Sequence, residues 1–133
     1  MRRLWVDANV ILRFVTGDPP EMAEKALGLM RQAEKEEILL QLSPLVIAEV
    51  VWVLGSFYKF SRERIAEILA SFVTAKGVFV ADPDLMVSAL TKMAVKNVDF
   101  VDAFLAEVAL SSGDAVCSFD EDFNRLGVER IMP

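Results

Sequence analysis

Apolar residues along this chain alternate between short unbroken runs and longer stretches with helical spacing. Leu4–Val6 is a short apolar run ending at Asp7, which predicts a buried strand. Thr16-Gly17-Asp18-Pro19-Pro20 predicts a loop, because Gly and Pro together interrupt regular backbone. From Glu21 to Glu37 the apolar positions 23, 26, 27, 30 and 33 form a helical stripe. Ile38–Leu42 predicts a second strand. Ser43 can cap and Pro44 can open a helix running to about Leu54, with Gly55-Ser56 near its end. Ser61 can cap another, with Ile65, Ile68, Leu69 and Phe72 on one face.

The alternation continues to the end of the chain. Val78–Ala81 predicts a third strand between Gly77 and Asp82-Pro83, and Asp82-Pro83 caps and opens a helix toward Lys96. Asp99 can cap a helix through Phe104 to Leu110, stopped by Ser112-Gly113-Asp114. Ala115–Ser118 predicts a fourth strand, Asp120–Leu126 a short helical turn, and Val128–Met132 a fifth strand. Short apolar strands separated by helices imply a mostly parallel sheet covered on both faces. The expected fold is an α/β sandwich with about five strands, in one domain over residues 1–133.

Two segments imitate membrane signals. Met1-Arg2-Arg3-Leu4-Trp5-Val6 begins like a signal peptide, but Asp7, Asn9 and Arg13 interrupt it. Ile38 to Tyr58 carries a single charge, yet Ser43-Pro44 starts a helix inside it and Glu49 stands near its middle. An ionisable residue at the centre of a bilayer costs about 2–3 kcal/mol or more. A cytoplasmic protein without a membrane span is the expectation.

Composition narrows the chemistry. The 14 Lys and Arg against 20 Asp and Glu give a net charge of −6, which argues against wrapping nucleic acid by overall charge. Cys117 is the only cysteine, and histidine is absent. These counts exclude disulfide frameworks, multi-Cys zinc sites and Ser-His-Asp or Cys-His catalysis. Acid–base or metal chemistry must therefore run mostly on carboxylates. A mean hydropathy of +0.40 is high for a small monomer and leads us to expect a homodimer or an assembly containing one.

Ligands of open α/β sheets bind beyond the carboxyl ends of the strands. Asp7 follows the first predicted strand, Asp120 follows the fourth, Asp102 lies in the first turn after Asp99, and Glu49 lies in the helix after the second strand. These four could converge, and a convergent set would need cations because like charges repel. Oxygen ligands without imidazole or thiolate favour Mg²⁺ or Mn²⁺. Without such a cation, at least one of the four carboxyls should titrate above its ordinary range.

Each residue also has a plainer reading. Asp7 could cap a turn, Asp99 and Asp102 could form a capping box, and Asp120 and Asp122 could be helix-start charges. Glu49 resists this best, because Leu45–Leu54 is otherwise apolar and predicts a buried helix. Asn9 could orient a ligand or cap the first helix, and Ser118 could hold a carboxylate or phosphate or cap a turn. Arg13, Lys59, Arg62, Arg64, Lys96 and Arg125 could contact phosphates or be scattered surface bases.

Four segments together resemble a known family. Val6-Asp7-Ala8-Asn9-Val10-Ile11-Leu12-Arg13, Ile47-Ala48-Glu49-Val50, Asp99-Phe100-Val101-Asp102-Ala103-Phe104-Leu105-Ala106 and Ser118-Phe119-Asp120-Glu121-Asp122-Phe123 occur in the order and spacing of PIN domains. The chain resembles in particular the VapC-type ribonuclease toxins of prokaryotic toxin–antitoxin pairs. The resemblance implies a three-layer α/β/α fold and a Mg²⁺ or Mn²⁺ site. By position, Asp7, Glu49, Asp102 and Asp120 match the four acidic residues of its motif, Asn9 and Ser118 its supporting polar positions, and Asp99 and Asp122 secondary acids.

The activity expected from the resemblance is cation-dependent hydrolysis of RNA, leaving 5′-phosphate and 3′-hydroxyl ends. Asp7, Asp102 and Asp120 would ligate one or two ions, and Glu49 would orient water or bind an ion through water. The expected partners are RNA, a small antitoxin and a second copy of the chain, with Arg13 a candidate contact to RNA phosphate. Two alternatives belong to other classes. One is a non-catalytic module whose acidic pocket receives Arg or Lys from a partner. The other is a haloacid-dehalogenase-like phosphatase, because Asp7-Ala8-Asn9 is loosely similar to a DxD motif, although Asn9 cannot donate the required proton.

Overall fold

A computed structural model describes all 133 residues, and its strands and helices alternate in chain order. β1 (Arg2–Trp5) leads into α1 (Ala8–Thr16) and α2 (Pro20–Glu34), and β2 (Ile38–Leu42) into α3 (Pro44–Ser56) and α4 (Arg62–Val73). β3 (Val78–Val80) is followed by α5 (Pro83–Lys96) and α6 (Phe100–Ser112). β4 (Val116–Cys117), a 3₁₀ turn over Glu121–Arg125 and β5 (Arg130–Ile131) close the chain.

Local chemistry explains most of these boundaries. Asp7, Ser43, Ser61, Asp82, Asp99 and Asp120 each accept a backbone N–H just inside the helix or turn that follows. Pro44 and Pro83 stand where the first helical turn needs no N–H. Gly17 and Gly113 end α1 and α6 in the left-handed conformation that glycine adopts without strain.

All the strand pairings are parallel, as each strand-to-strand connection through helices requires. β2 is central: Leu4 pairs with Leu40 on one side, and Leu40 pairs with Val78 on the other. Leu40 and Leu42 are buried, and Ile47, Leu54, Ile65, Leu69, Leu90 and Met93 pack around them. α1 packs against α2 and α3, while α5 packs between α4 and α6. The result is the expected α/β/α sandwich.

The sheet differs from the five-stranded expectation. Its strands divide into a three-stranded ladder, β1-β2-β3, and a separate two-stranded ribbon, β4-β5. The last two strands have only two residues each, and of the four only Val116 is buried. Such short segments pair with one another without extending the main ladder. No helix is long and apolar enough to cross a membrane, so the Ile38–Tyr58 run resolves into β2, a cap and α3.

The apolar run of α3 is not buried all round, which corrects the sequence reading. Ile47, Val50, Val51 and Leu54 face the core, whereas Leu45, Glu49, Trp52 and Ser56 are exposed. Their spacing of four, three and four is one continuous helix face.

Candidate metal centre

Asp102 reaches the centre from the first turn of α6. Asp99 caps that helix, its Oδ1 accepting the Phe100 N–H at 3.1 Å, while its carbonyl accepts the Ala103 N–H at 3.0 Å. The capping box that is the plainer reading of Asp99 and Asp102 does not form, which leaves the half-buried Asp102 carboxylate available.

Asp120 and Asp122 arrive on the 3₁₀ turn after β4. Ser118 Oγ accepts the Asp120 N–H at 2.9 Å, and Asp120 Oδ1 accepts the Asp122 N–H at 2.8 Å. Three basic side chains fasten this turn, two contacts joining it to α5 and one to β5. Arg125 donates to the Lys96 carbonyl at 2.6 Å, Lys92 to the Leu126 carbonyl at 2.9 Å, and Arg130 to the Ser118 carbonyl at 3.1 Å.

One carboxylate oxygen each from Asp102, Asp120 and Asp122 lies within 4.8 Å of the other two. Burial raises the Asp102 carboxyl above the usual carboxylate range, and the charges of Asp99, Asp120 and Asp122 raise it further, in that order. The expected upward shift is therefore present, although desolvation exceeds mutual repulsion as its cause. Three clustered carboxylates without imidazole or thiolate form a hard donor set, which suits an oxygen-seeking divalent cation. Arg125 Nη2 lies 3.0 Å from Asp122 Oδ1 and offsets part of the charge.

Asp7 and Glu49 stand outside that group of three. Asp7 is exposed at the end of β1, where its Oδ1 accepts the Val10 N–H at 3.2 Å, so Asp7 rather than Asn9 caps α1. Asn9 and Arg13 follow it on α1, and all three line a groove of about 520 Å³ with Lys25 of α2. Arg13 also donates to the Asp18 carbonyl at 3.1 Å, bracing the α1–α2 loop. Glu49 is on the exposed face of α3, which packs against both α1 and α6.

Sequence reasoning ranked Asp122 as a secondary acid and read Arg125 only as a possible phosphate contact. Asp122 lies two residues beyond Asp120, whose Oδ1 accepts its N–H, and three before Arg125, a spacing that in a 3₁₀ turn brings Asp122 and Arg125 to one face. That spacing was the available signal. The PIN domain family model matches residues 4–129. Comparison with curated proteins gives no match.

Proposed function

The chain belongs to the PIN domain family, and from that premise we propose that it is a Mg²⁺- or Mn²⁺-dependent endoribonuclease, the toxin of a toxin–antitoxin pair. The observation that carries this reading is the grouping of Asp102, Asp120 and Asp122. These residues would hold the cation, with Asp7 and Glu49 contributing from the neighbouring α1 and α3. When bound, the cation supplies Lewis acidity to a phosphate oxygen and lowers the pKa of water.

The protein's own groups supply the remaining chemistry. Water adds to phosphorus in line while the bond from phosphorus to O3′ breaks and O3′ takes a proton from solvent water, giving a 5′-phosphate and a 3′-hydroxyl. Glu49, exposed and free of an ion pair, takes the proton of the attacking water. Ser118 positions Asp120 through its backbone N–H. Asn9, Arg13 and Lys25 line the groove beside Asp7 and would steady the RNA strand there.

Two surface features support the proposed protein partners. An apolar groove of about 480 Å³, lined by Phe14, Met30, Ile68 and Phe72 among others, offers a small antitoxin a place to bury apolar side chains. Val101, Leu105 and Val108 are exposed along α6 and support a face for a second copy. A cytoplasmic location goes with an RNA substrate and a cytoplasmic antitoxin.

A second reading is a non-catalytic module that receives a partner's guanidinium, and the seating of Arg125 on Asp122 favours it. Incubating RNA with the purified protein, with and without Mn²⁺ and beside Asp102→Asn, separates the two. Cleavage that requires both Mn²⁺ and Asp102 supports the nuclease. Intact RNA in every arm leaves the binding module.

A further inference from the structure

The chain is acidic overall, yet Phe57-Tyr58-Lys59-Phe60-Ser61-Arg62-Glu63-Arg64 carries three cationic side chains against one carboxylate, a local charge of +2. This segment joins α3 to α4 and is dense in exposed aromatic surface. Phe57 is 74% exposed, and Trp52, one turn earlier on α3, is 68% exposed. Phe57 meets Tyr58 edge-on with ring centroids 4.9 Å apart, and Tyr58 meets Phe60 similarly at 6.3 Å. The Arg64 guanidinium lies 3.9 Å above the centre of the Phe60 ring.

This patch adjoins the acidic centre. Trp52, Phe60 and Arg62 line one cavity of about 280 Å³ together with Asp99. Asp99 caps α6 and Asp102 stands in the first turn of the same helix, which places the cavity beside the carboxylate group. Arg62 is held in place by its hydrogen bond to Asn97 Oδ1 at 2.8 Å. Lys59 is exposed on a left-handed backbone, with φ of 61°, which a non-glycine residue adopts infrequently.

Exposed aromatic rings interleaved with cations are the features that bind single-stranded nucleic acid. Every base can stack on a ring or on a guanidinium plane, and the cations follow the phosphates. We infer that Trp52, Phe60, Arg62 and Arg64 form a platform for single-stranded RNA that leads the strand to the Asp102–Asp120–Asp122 centre. This inference rests on the nuclease reading for the identity of its occupant. Trp52 stacks on a base over the cavity, the Arg64–Phe60 pair offers a second stacking surface, and Lys59 and Arg62 meet phosphates. The overall acidity of the chain then matters little, because attraction is confined to the track that the strand follows.

Trp5 and Trp52 are the only tryptophans, so Trp5→Phe leaves Trp52 as the sole reporter. An eight-nucleotide oligouridylate is titrated into that variant in EDTA, which removes cleavage from the measurement. Saturable quenching of Trp52 emission is expected. By anisotropy with a labelled oligonucleotide, Trp52→Ala should weaken binding roughly 5- to 100-fold, and Trp52→Phe should restore most of it. Lys59→Gln or Arg62→Gln should each reduce the slope of log affinity against log salt by about 0.7.

Absent quenching, or equal affinity of Trp52→Ala and the parent, overturns the platform. Trp52 emission that changes with protein concentration and ignores RNA also overturns it, assigning the face to a second copy. The nuclease reading fails separately. RNA bound through Trp52 but never cleaved with Mn²⁺ preserves the platform and removes the nuclease, whereas cleavage with unchanged KM in Trp52→Ala does the reverse.

Discussion

Arg125 joins Asp122 to the end of α5: its Nη2 lies 3.0 Å from Asp122 Oδ1, and its Nη1 donates to the Lys96 carbonyl at 2.6 Å. One guanidinium thus anchors the third carboxylate of the centre to a helix terminus. The pair is about half exposed, so its direct contribution to stability is small, about 0–1 kcal/mol. Its main effect is on the position of Asp122. Arg125→Ala should lower Mn²⁺ affinity by roughly tenfold while leaving the melting temperature of the metal-free protein nearly unchanged. Titration calorimetry with Mn²⁺ checks the first expectation, and a thermal melt in EDTA checks the second.

Asp102 predicts the pH dependence of the metal-free protein. Its carboxyl is raised in the folded state, chiefly by burial, so the folded chain holds that proton to higher pH than the unfolded chain does. Its contribution to stability is fully present below the ordinary value of 3.8 and is lost as pH rises through the elevated folded value. Asp102→Asn removes this dependence. At neutral pH in EDTA the variant should melt above wild type, and the difference should shrink as the buffer is acidified.

Cation binding should reverse that charge repulsion. At a Mn²⁺ concentration one hundred times Kd, mass action stabilises the fold by about 2.7 kcal/mol, a melting shift on the order of 10 °C for a domain of this size. Asp102→Asn should lose most of that rise. Differential scanning fluorimetry with and without Mn²⁺ is sufficient, and an identical shift in both proteins would place the ion elsewhere.

Glu49→Gln should separate catalysis from folding. It is exposed on α3 and belongs to neither of the two ion pairs, so Glu49→Gln should leave the melting temperature unchanged. If Glu49 takes the proton of the attacking water, the same change should reduce kcat by roughly 10²- to 10⁴-fold. A variant that cleaves RNA at the wild-type rate would remove Glu49 from the chemistry.

Gly77 lets α2 pack closely against the start of β3. Its φ is +81°, and an added Cβ would lie 2.1 Å from the Ala33 carbonyl oxygen, where α2 passes close to the start of β3. Neither backbone can yield without moving its element. Gly77→Ala should therefore destabilise the protein by about 2–4 kcal/mol, measured by urea unfolding. Gly28→Ala, which meets nothing within 4 Å, is the control and should be neutral or mildly stabilising.

Helix starts were legible in the sequence because their causes are local. Ser43-Pro44, Ser61, Asp82-Pro83 and Asp99 act on N–H groups within a few residues, and all four helices begin where those residues predict. β2 was equally legible, since four apolar residues and Gln41 between a charged stretch and a cap leave one arrangement. The acidic residues could be identified, but their grouping could not. It depends on how the turn after β4 docks, and Lys92, Arg125 and Arg130 fasten that turn from positions distant in sequence or on unpredicted contacts. Tertiary packing therefore chose Asp122 as the third member with Asp102 and Asp120, exposed Glu49 on α3, and separated β4-β5 from the main ladder. Carboxylate chemistry follows from composition, because a chain without histidine and with one cysteine has few other ligands. Which carboxylates share a cation is a matter of a few ångströms, and only the folded chain sets those distances.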